Sequence, residues 1–318
     1  MSEFELLHFQ SVTFTGQSAG ARLIVLGAVH GNETCGTQAI RRVIAEIESG
    51  QLGIVAGSVT FVPVTNPLAY VRHQRMGDRN LNRNLVPTAT PVEFEDRIAN
   101  WLCPLLAQHD ALLDLHSFHT QGEPFIMLGP QDNDGTLEPF AREAEETALA
   151  LSLGVHRFVD GWLDTYAAGV ARRLAAGAPA READVHYGVG TTEYMRAQGG
   201  IALTLECGQH DDPAAPAVAY RAIHNALAHL RLTAAPVPAP VTDTEALRLY
   251  RVVDRAHAGD AFARAWSSFD RVHAGEVIGT RRDGTQVVAD SDSHVVFPNP
   301  KAQPGQEWFY LARSSARV

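Results

Sequence analysis

Cysteine is scarce in this chain: only Cys35, Cys103 and Cys207 occur in 318 residues, and no two stand in C-x-x-C spacing. An odd, widely separated set excludes both a disulfide framework and a thiolate metal site, so any metal must be held by histidines and carboxylates. Blocks of Lys or Arg long enough to neutralise a nucleic-acid backbone are missing, and the formal net charge is -10; nucleic acid is therefore not an expected partner. No apolar run approaches the ~20 residues a bilayer span requires. The N-terminal MSEFELLHFQ lacks a basic segment followed by an apolar one. No membrane association and a cytoplasmic location are the expectations that follow.

What is present is an ordinary globular composition, 45% hydrophobic and 19% charged, in a chain longer than one simple core usually needs. Residues 21–29, ARLIVLGAV, read as a buried strand, and Glu33 to Ser49 follows with helical spacing of Ile40, Val43, Ile44 and Ile47. The alternation continues with strand 58–66, a helix from Pro91 to Gln108, strands 111–117 and PFIMLG, a helix from Thr136 to Leu153, strand 202–207 and a helix from Pro213 to Leu232. Such alternation predicts an α/β fold, a mixed central sheet flanked by helices. The Pro/Ala stretch at 234–242 reads as a linker between a domain over 1–233 and a small C-terminal all-β domain over 243–318, where EVIGT, QVVAD, HVVFP and EWFYLAR are separated by turn residues.

Four elements carry candidate chemistry. In HGNET at 30–34, His30 is placed at the end of a strand and Glu33 at the start of a helix, with Gly31 permitting the turn between them. That is the carboxyl edge of the sheet, where crevices form in open α/β folds. Alone, H-x-x-E reads more readily as an ordinary surface pair than as a pair of metal ligands. DLHSF at 114–118 adds His116, with Asp114 on the same face by strand alternation; His119 competes as a ligand. Asp114 reads either as a partner that orients a ligand imidazole or as a structural acceptor. Two histidines and a glutamate with a fourth position for water is the composition of a catalytic zinc site.

In TLECG at 204–208, Glu206 is an acid inside an apolar strand. Burying it is costly unless it is paired with an arginine or has a task such as general-base catalysis. RHQRMGDRNLNRN at 72–84 is basic and amide-rich, which fits either a solvated loop or one whose arginines orient an anionic substrate.

Together these elements resemble the succinylglutamate desuccinylase/aspartoacylase family of zinc carboxypeptidase-like enzymes. The order agrees as well as the residues, from HGNE through N-P-x-A at Asn66, Pro67 and Ala69, Arg75, L-N-R at 81–83 and D-L-H at 114–116 to the strand glutamate, over about residues 24–208. The resemblance implies one Zn2+ per chain on His30, Glu33 and His116, Glu206 as base and Arg75 as the group that stabilises the oxyanion. It also implies that Asn82 and Arg83 hold a carboxylate of a small acyl-amine substrate, with Arg196 as a further substrate-binding residue. A homodimer is common in such relatives. A C-terminal β domain that covers the cleft is implied too, and in some members it lends a tyrosine, for which Tyr250 and Tyr310 are the candidates. One departure is visible: the family often has D-L-N-R where this chain has Asn80-Leu81-Asn82-Arg83.

The expected reaction is hydrolysis of the amide bond of an N-acyl amino acid or similar small amide. The alternatives are a metallocarboxypeptidase on the same scaffold and a non-catalytic zinc-binding protein.

Overall fold

Most of the apolar strand segments of the sequence join one large sheet in a computed structural model that describes residues 7–175, 177 and 184–318. In chain order the elements are β1 (Val12–Thr15), β2 (Ser18–Gly27), α1 (Cys35–Glu48), β3 (Ala56–Val62), α2 (Pro67–Val71), α3 (Phe94–Leu106), β4 (Ala111–Phe118), β5 (Phe125–Met127), α4 (Glu143–Ser152), β6 (Arg157–Asp160), α5 (Trp162–Ala175), α6 (Thr191–Ala197), β7 (Ile201–Gln209) and α7 (Ala215–His229). The rest is all β: β8 (Glu245–Asp254), β9 (Ala261–Phe262), β10 (Arg271–Val272), β11 (Val277–Thr280), β12 (Gln286–Val288), β13 (Ser293–Val296) and β14 (Glu307–Ser314). None of the helices described is long and apolar enough to cross a membrane.

The central sheet has eleven strands in the order β1-β3-β2-β4-β7-β5-β6-β8-β14-β13-β10, and β12-β11-β9 form a separate three-stranded sheet. Strands β3, β2, β4 and β7 are mutually parallel, whereas β5 runs antiparallel to β7, so the sheet is mixed. The C-terminal strands continue it, because β8 pairs in parallel with β6.

Alternation along the strands divides the core. Leu23 and Val25 of β2, Leu113 and Leu115 of β4, and Leu203 and Leu205 of β7 pack on one face with Ile40 and Val43 of α1 and with Ile223 and Ala226 of α7. Each such fully buried Ile or Leu contributes about 1.5–3 kcal/mol. Ile24 and Leu26, Leu112, and Ala202 lie on the other face with Ile98 and Leu102 of α3 and Met195 of α6. By the same period of two, Asp114, His116, Thr204 and Glu206 belong to this second face.

The expected helix from Thr136 is corrected: α4 begins only at Glu143. Pro139 lacks an amide hydrogen, and the neighbouring Phe140 exchanges backbone hydrogen bonds with Asn133 at 2.7 and 3.1 Å, so the preceding residues form a bridge rather than a helical turn. Strands β1 and β6 and helices α2, α5 and α6 are short or weakly patterned elements that the sequence reading passes over.

Candidate metal centre and its cleft

Strand β2 stops at Gly27 and α1 starts at Cys35, so His30 and Glu33 both lie in the connecting turn rather than at the strand end and helix start. The Glu33 amide donates to the His30 carbonyl at 3.1 Å and closes that turn. Gly31 is required there, since a Cβ would come within 2.0 Å of the Ala69 carbonyl carbon. The close approach explains why HGNE and N-P-x-A occur together: Asn66 caps α2 through Ala69 N at 3.1 Å, and the capped end seats the turn.

His116 arrives from β4, two residues before the end of that strand. Glu206 of β7 is its partner in the parallel register. Beyond this pair the register slips, so that Phe118 faces Gln209; Gly208, at φ 129, supplies the backbone conformation the bulge needs. Pairing of neighbouring strands thus puts the acid of TLECG beside the second histidine.

His30 Nδ1 lies 2.9 Å from Glu33 Oε1, and His116 Nδ1 lies 2.9 Å from Glu33 Oε2. One donor atom from each of these three buried residues falls within 4.8 Å of the others, a set suited to one metal ion. His119 is not in it, because its Nε2 donates to the Pro298 carbonyl at 2.9 Å. The outer nitrogens are also held. His30 Nε2 reaches Asn80 Oδ1 at 3.0 Å. Asp114 Oδ2 lies 3.0 Å from His116 Nε2, out of line for a hydrogen bond.

Asn80 Oδ1 also accepts from the Asn82 amide at 2.9 Å, and Asn82 Oδ1 accepts from Thr191 N at 2.8 Å. The Thr191 hydroxyl donates to Asp114. A closed ring of contacts therefore joins the back of one histidine to the back of the other. Asn80 and Thr191 carry no signal in the sequence beyond the departure from D-L-N-R, and the sequence reading gave them no role.

Electrostatics follow from this packing. Burial and Arg75 hold His30 down at about 4, against the pull of Glu33. Burial would lower His116 too, but Asp114 and Glu33 outweigh it and raise the imidazole well above its usual range. Glu33, although buried, is held well below the ordinary carboxylate range by the two histidines. Glu33 is thus held as a buried anion between the two imidazoles, only one of which, His116, is favoured in its charged form. Burial pushes Glu206 up to about 8, His116 opposing and Glu33 adding to the rise. Its Oε2 is buried with no hydrogen-bond partner among the described residues.

The basic loop is anchored to the fold, although His73, Gln74, Arg75, Met76 and Asp78 remain exposed. The buried Glu95 carboxylate of α3 accepts from the amides of Gly77, Asp78 and Arg79 at 2.9–3.1 Å and from Asn66 Nδ2 at 2.8 Å. This wraps the loop around a fixed anion, with Arg79 paired to Asp96 at 3.0 Å. Arg75 and Arg83 are left for the cleft. Arg75 donates to Glu33 Oε1 at 3.0 Å with its side chain half exposed, while Arg83 lies 3.4 Å from Glu307 and stacks on Trp162.

A cavity of about 180 Å³ is lined by His30, Arg75, Asn82, Arg83, His116, Arg196 and Glu206. Residues of the C-terminal strands, Glu307 and Tyr310, close it from above. The Tyr310 hydroxyl is buried without a partner among the described residues, whereas Tyr250 bonds Asp290 at 2.6 Å and does not line the cavity. Arg196 reaches the cavity wall with Nε and Nη1 donating to Glu146 and Glu138 at 2.8 Å and Nη2 to the Ala202 carbonyl at 2.7 Å.

A model of the succinylglutamate desuccinylase/aspartoacylase catalytic domain matches residues 19–216. Among solved structures, the succinylglutamate desuccinylase/aspartoacylase from Rhodobacter sphaeroides is similar with a TM-score of 0.73 at 17% identity, over 97% of this chain and 90% of that one. Succinylglutamate desuccinylase from Vibrio cholerae gives 0.71 at 19% identity, over 96% and 85%. The product-bound ectoine utilization protein EutE (DoeB) from Ruegeria pomeroyi gives 0.69 at 19%, over 95% and 88%. No curated protein matches the sequence.

Proposed function

Because this chain belongs to the succinylglutamate desuccinylase/aspartoacylase family, we propose that it is a zinc-dependent hydrolase that cleaves the linear amide bond of an N-acyl amino acid or similar small amide. The observation that carries the reading is the register of His116 with Glu206, which sets an unpartnered buried carboxyl beside a three-residue metal-ligand set in one cavity.

His30, Glu33 and His116 would hold one zinc ion; two imidazoles and a carboxylate, with both outer imidazole nitrogens in contact with oxygen, are a donor set that suits it. When bound, zinc supplies Lewis acidity, which lowers the pKa of water and polarises a carbonyl oxygen. Glu206, whose Oε2 has no hydrogen-bond partner among the described residues, takes the proton from water as water adds to the amide carbon, and returns it to the departing nitrogen. Arg75 uses only one donor on Glu33 and offers the others to the negative charge that develops on the carbonyl oxygen. Asn82 and Arg83 orient a carboxylate of the substrate, and the free Tyr310 hydroxyl donates to it from above. Arg196 contributes through the wall it forms with Glu138 and Glu146.

A carboxypeptidase would need a cleft that admits a peptide chain. Closure by Phe297, Asn299, Glu307 and Tyr310 supports a small substrate instead. The test is hydrolysis of N-acyl amino acids before and after chelation, followed by zinc add-back. Loss and recovery of activity are expected; full activity in protein shown to be free of metal would refute the proposal.

A further inference from the structure

We propose that the cavity selects N-acyl amino acids that carry one carboxylate and a neutral apolar group, and discriminates against dicarboxylic substrates. The inference rests on the amide-hydrolase reading above and narrows it to a substrate class.

One side of the cavity is a continuous aromatic wall. Phe118 contacts Phe297 with ring centroids 6.1 Å apart, Phe297 contacts Tyr310 at 6.4 Å, and Tyr310 contacts Trp162 at 5.5 Å. Met127 and Leu128 extend the same lining. An ionised carboxylate laid against the part of this surface formed by Phe118, Phe297, Met127 and Leu128 loses its hydration without gaining a partner. Apolar substrate groups gain there by burial.

The arginines point the same way. A dicarboxylate needs two cationic anchors, and Arg75 is already assigned to the scissile carbonyl. Arg196 is neutralised inside the fold: Glu146 and Glu138 each lie 2.8 Å away, and Glu193 lies 3.8 Å away. Glu146 and Glu193 already balance the guanidinium and Glu138 takes a further donor, which leaves no net positive charge for another anion. Arg83 is shared with Glu307 at 3.4 Å but spends only one other donor, on the Asn82 carbonyl, so it can still serve one carboxylate. One anchor and one apolar wall describe a monocarboxylate with an aliphatic or aromatic group.

The experiment compares kcat/KM of the zinc-loaded full chain on N-acetylleucine and N-acetylphenylalanine with that on N-acetylaspartate and N-succinylglutamate. A preference of at least ~10-fold for the apolar pair is expected. Preference for the dicarboxylates overturns this inference alone. No hydrolysis of any of the four removes the amide-hydrolase reading and the inference with it.

Discussion

Thr191 and Asp114 are hydrogen-bonded partners 77 residues apart in the chain, joined at the point where the first turn of α6 meets the middle of β4. Asp114 in turn stands 3.0 Å behind His116. The other arm of the same ring, through Asn82 and Asn80, ends on His30. Orientation of both histidines thus depends on one short helix.

Thr191→Val removes the hydroxyl and keeps the shape, leaving the buried Asp114 carboxylate short of its donor. Zinc affinity should fall by about 10- to 100-fold, the range typical of lost outer partners of metal ligands, while Thr191→Ser retains it. Competition titration against a chelating dye reads the affinity, and circular dichroism verifies the fold. Equal affinities for the parent and the valine variant would mean that the ring does not orient the ligands.

Glu206→Gln is nearly isosteric and removes only the ability to accept a proton. Turnover should drop by roughly 10²- to 10⁴-fold, with one zinc still bound per chain, since the three ligand residues are untouched. Single-turnover kinetics together with metal analysis separate the two effects. Retained turnover would exclude Glu206 as the base.

Glu138 predicts a pH dependence of stability. Burial raises its carboxyl from the ordinary 4.5 to about 7, with Arg196 opposing and Glu193 adding to the rise. Between these values the folded protein keeps a proton that the unfolded chain has released, so stability falls as pH rises through that window. Glu138→Gln has no such proton. The variant's Tm should therefore gain on the parent's by a few degrees between pH 5 and pH 8. A difference in Tm that stays constant with pH would show that Glu138 does not titrate in this range.

Legibility of the site differed by residue type. His30, Glu33 and His116 were readable because their types sit in short motifs beside apolar strands, and Glu206 because an acid inside a buried strand needs a reason. The resemblance singled out Arg75 and Arg83, but the reason they and not Arg79 face the cleft is visible only in three dimensions, where Glu95 gathers the loop amides and Asp96 takes Arg79. Asn80 looked like a lost charge in the motif; in the fold its Oδ1 serves both His30 and the Asn82 amide. Tyr310 and Tyr250 were equivalent in the sequence, and only the cavity distinguishes them.

By itself the sequence determined the α/β class, the order of the main strands and the three residues of the candidate metal site, because periodicity and motif spacing are local properties of the chain. Tertiary structure alone decided that β8 joins β6 and carries β14 with Tyr310 to the cleft, and that Arg196 is balanced by Glu146 and Glu193. Those contacts span tens to hundreds of residues, and which charges remain free depends on burial and pairing that no local pattern records.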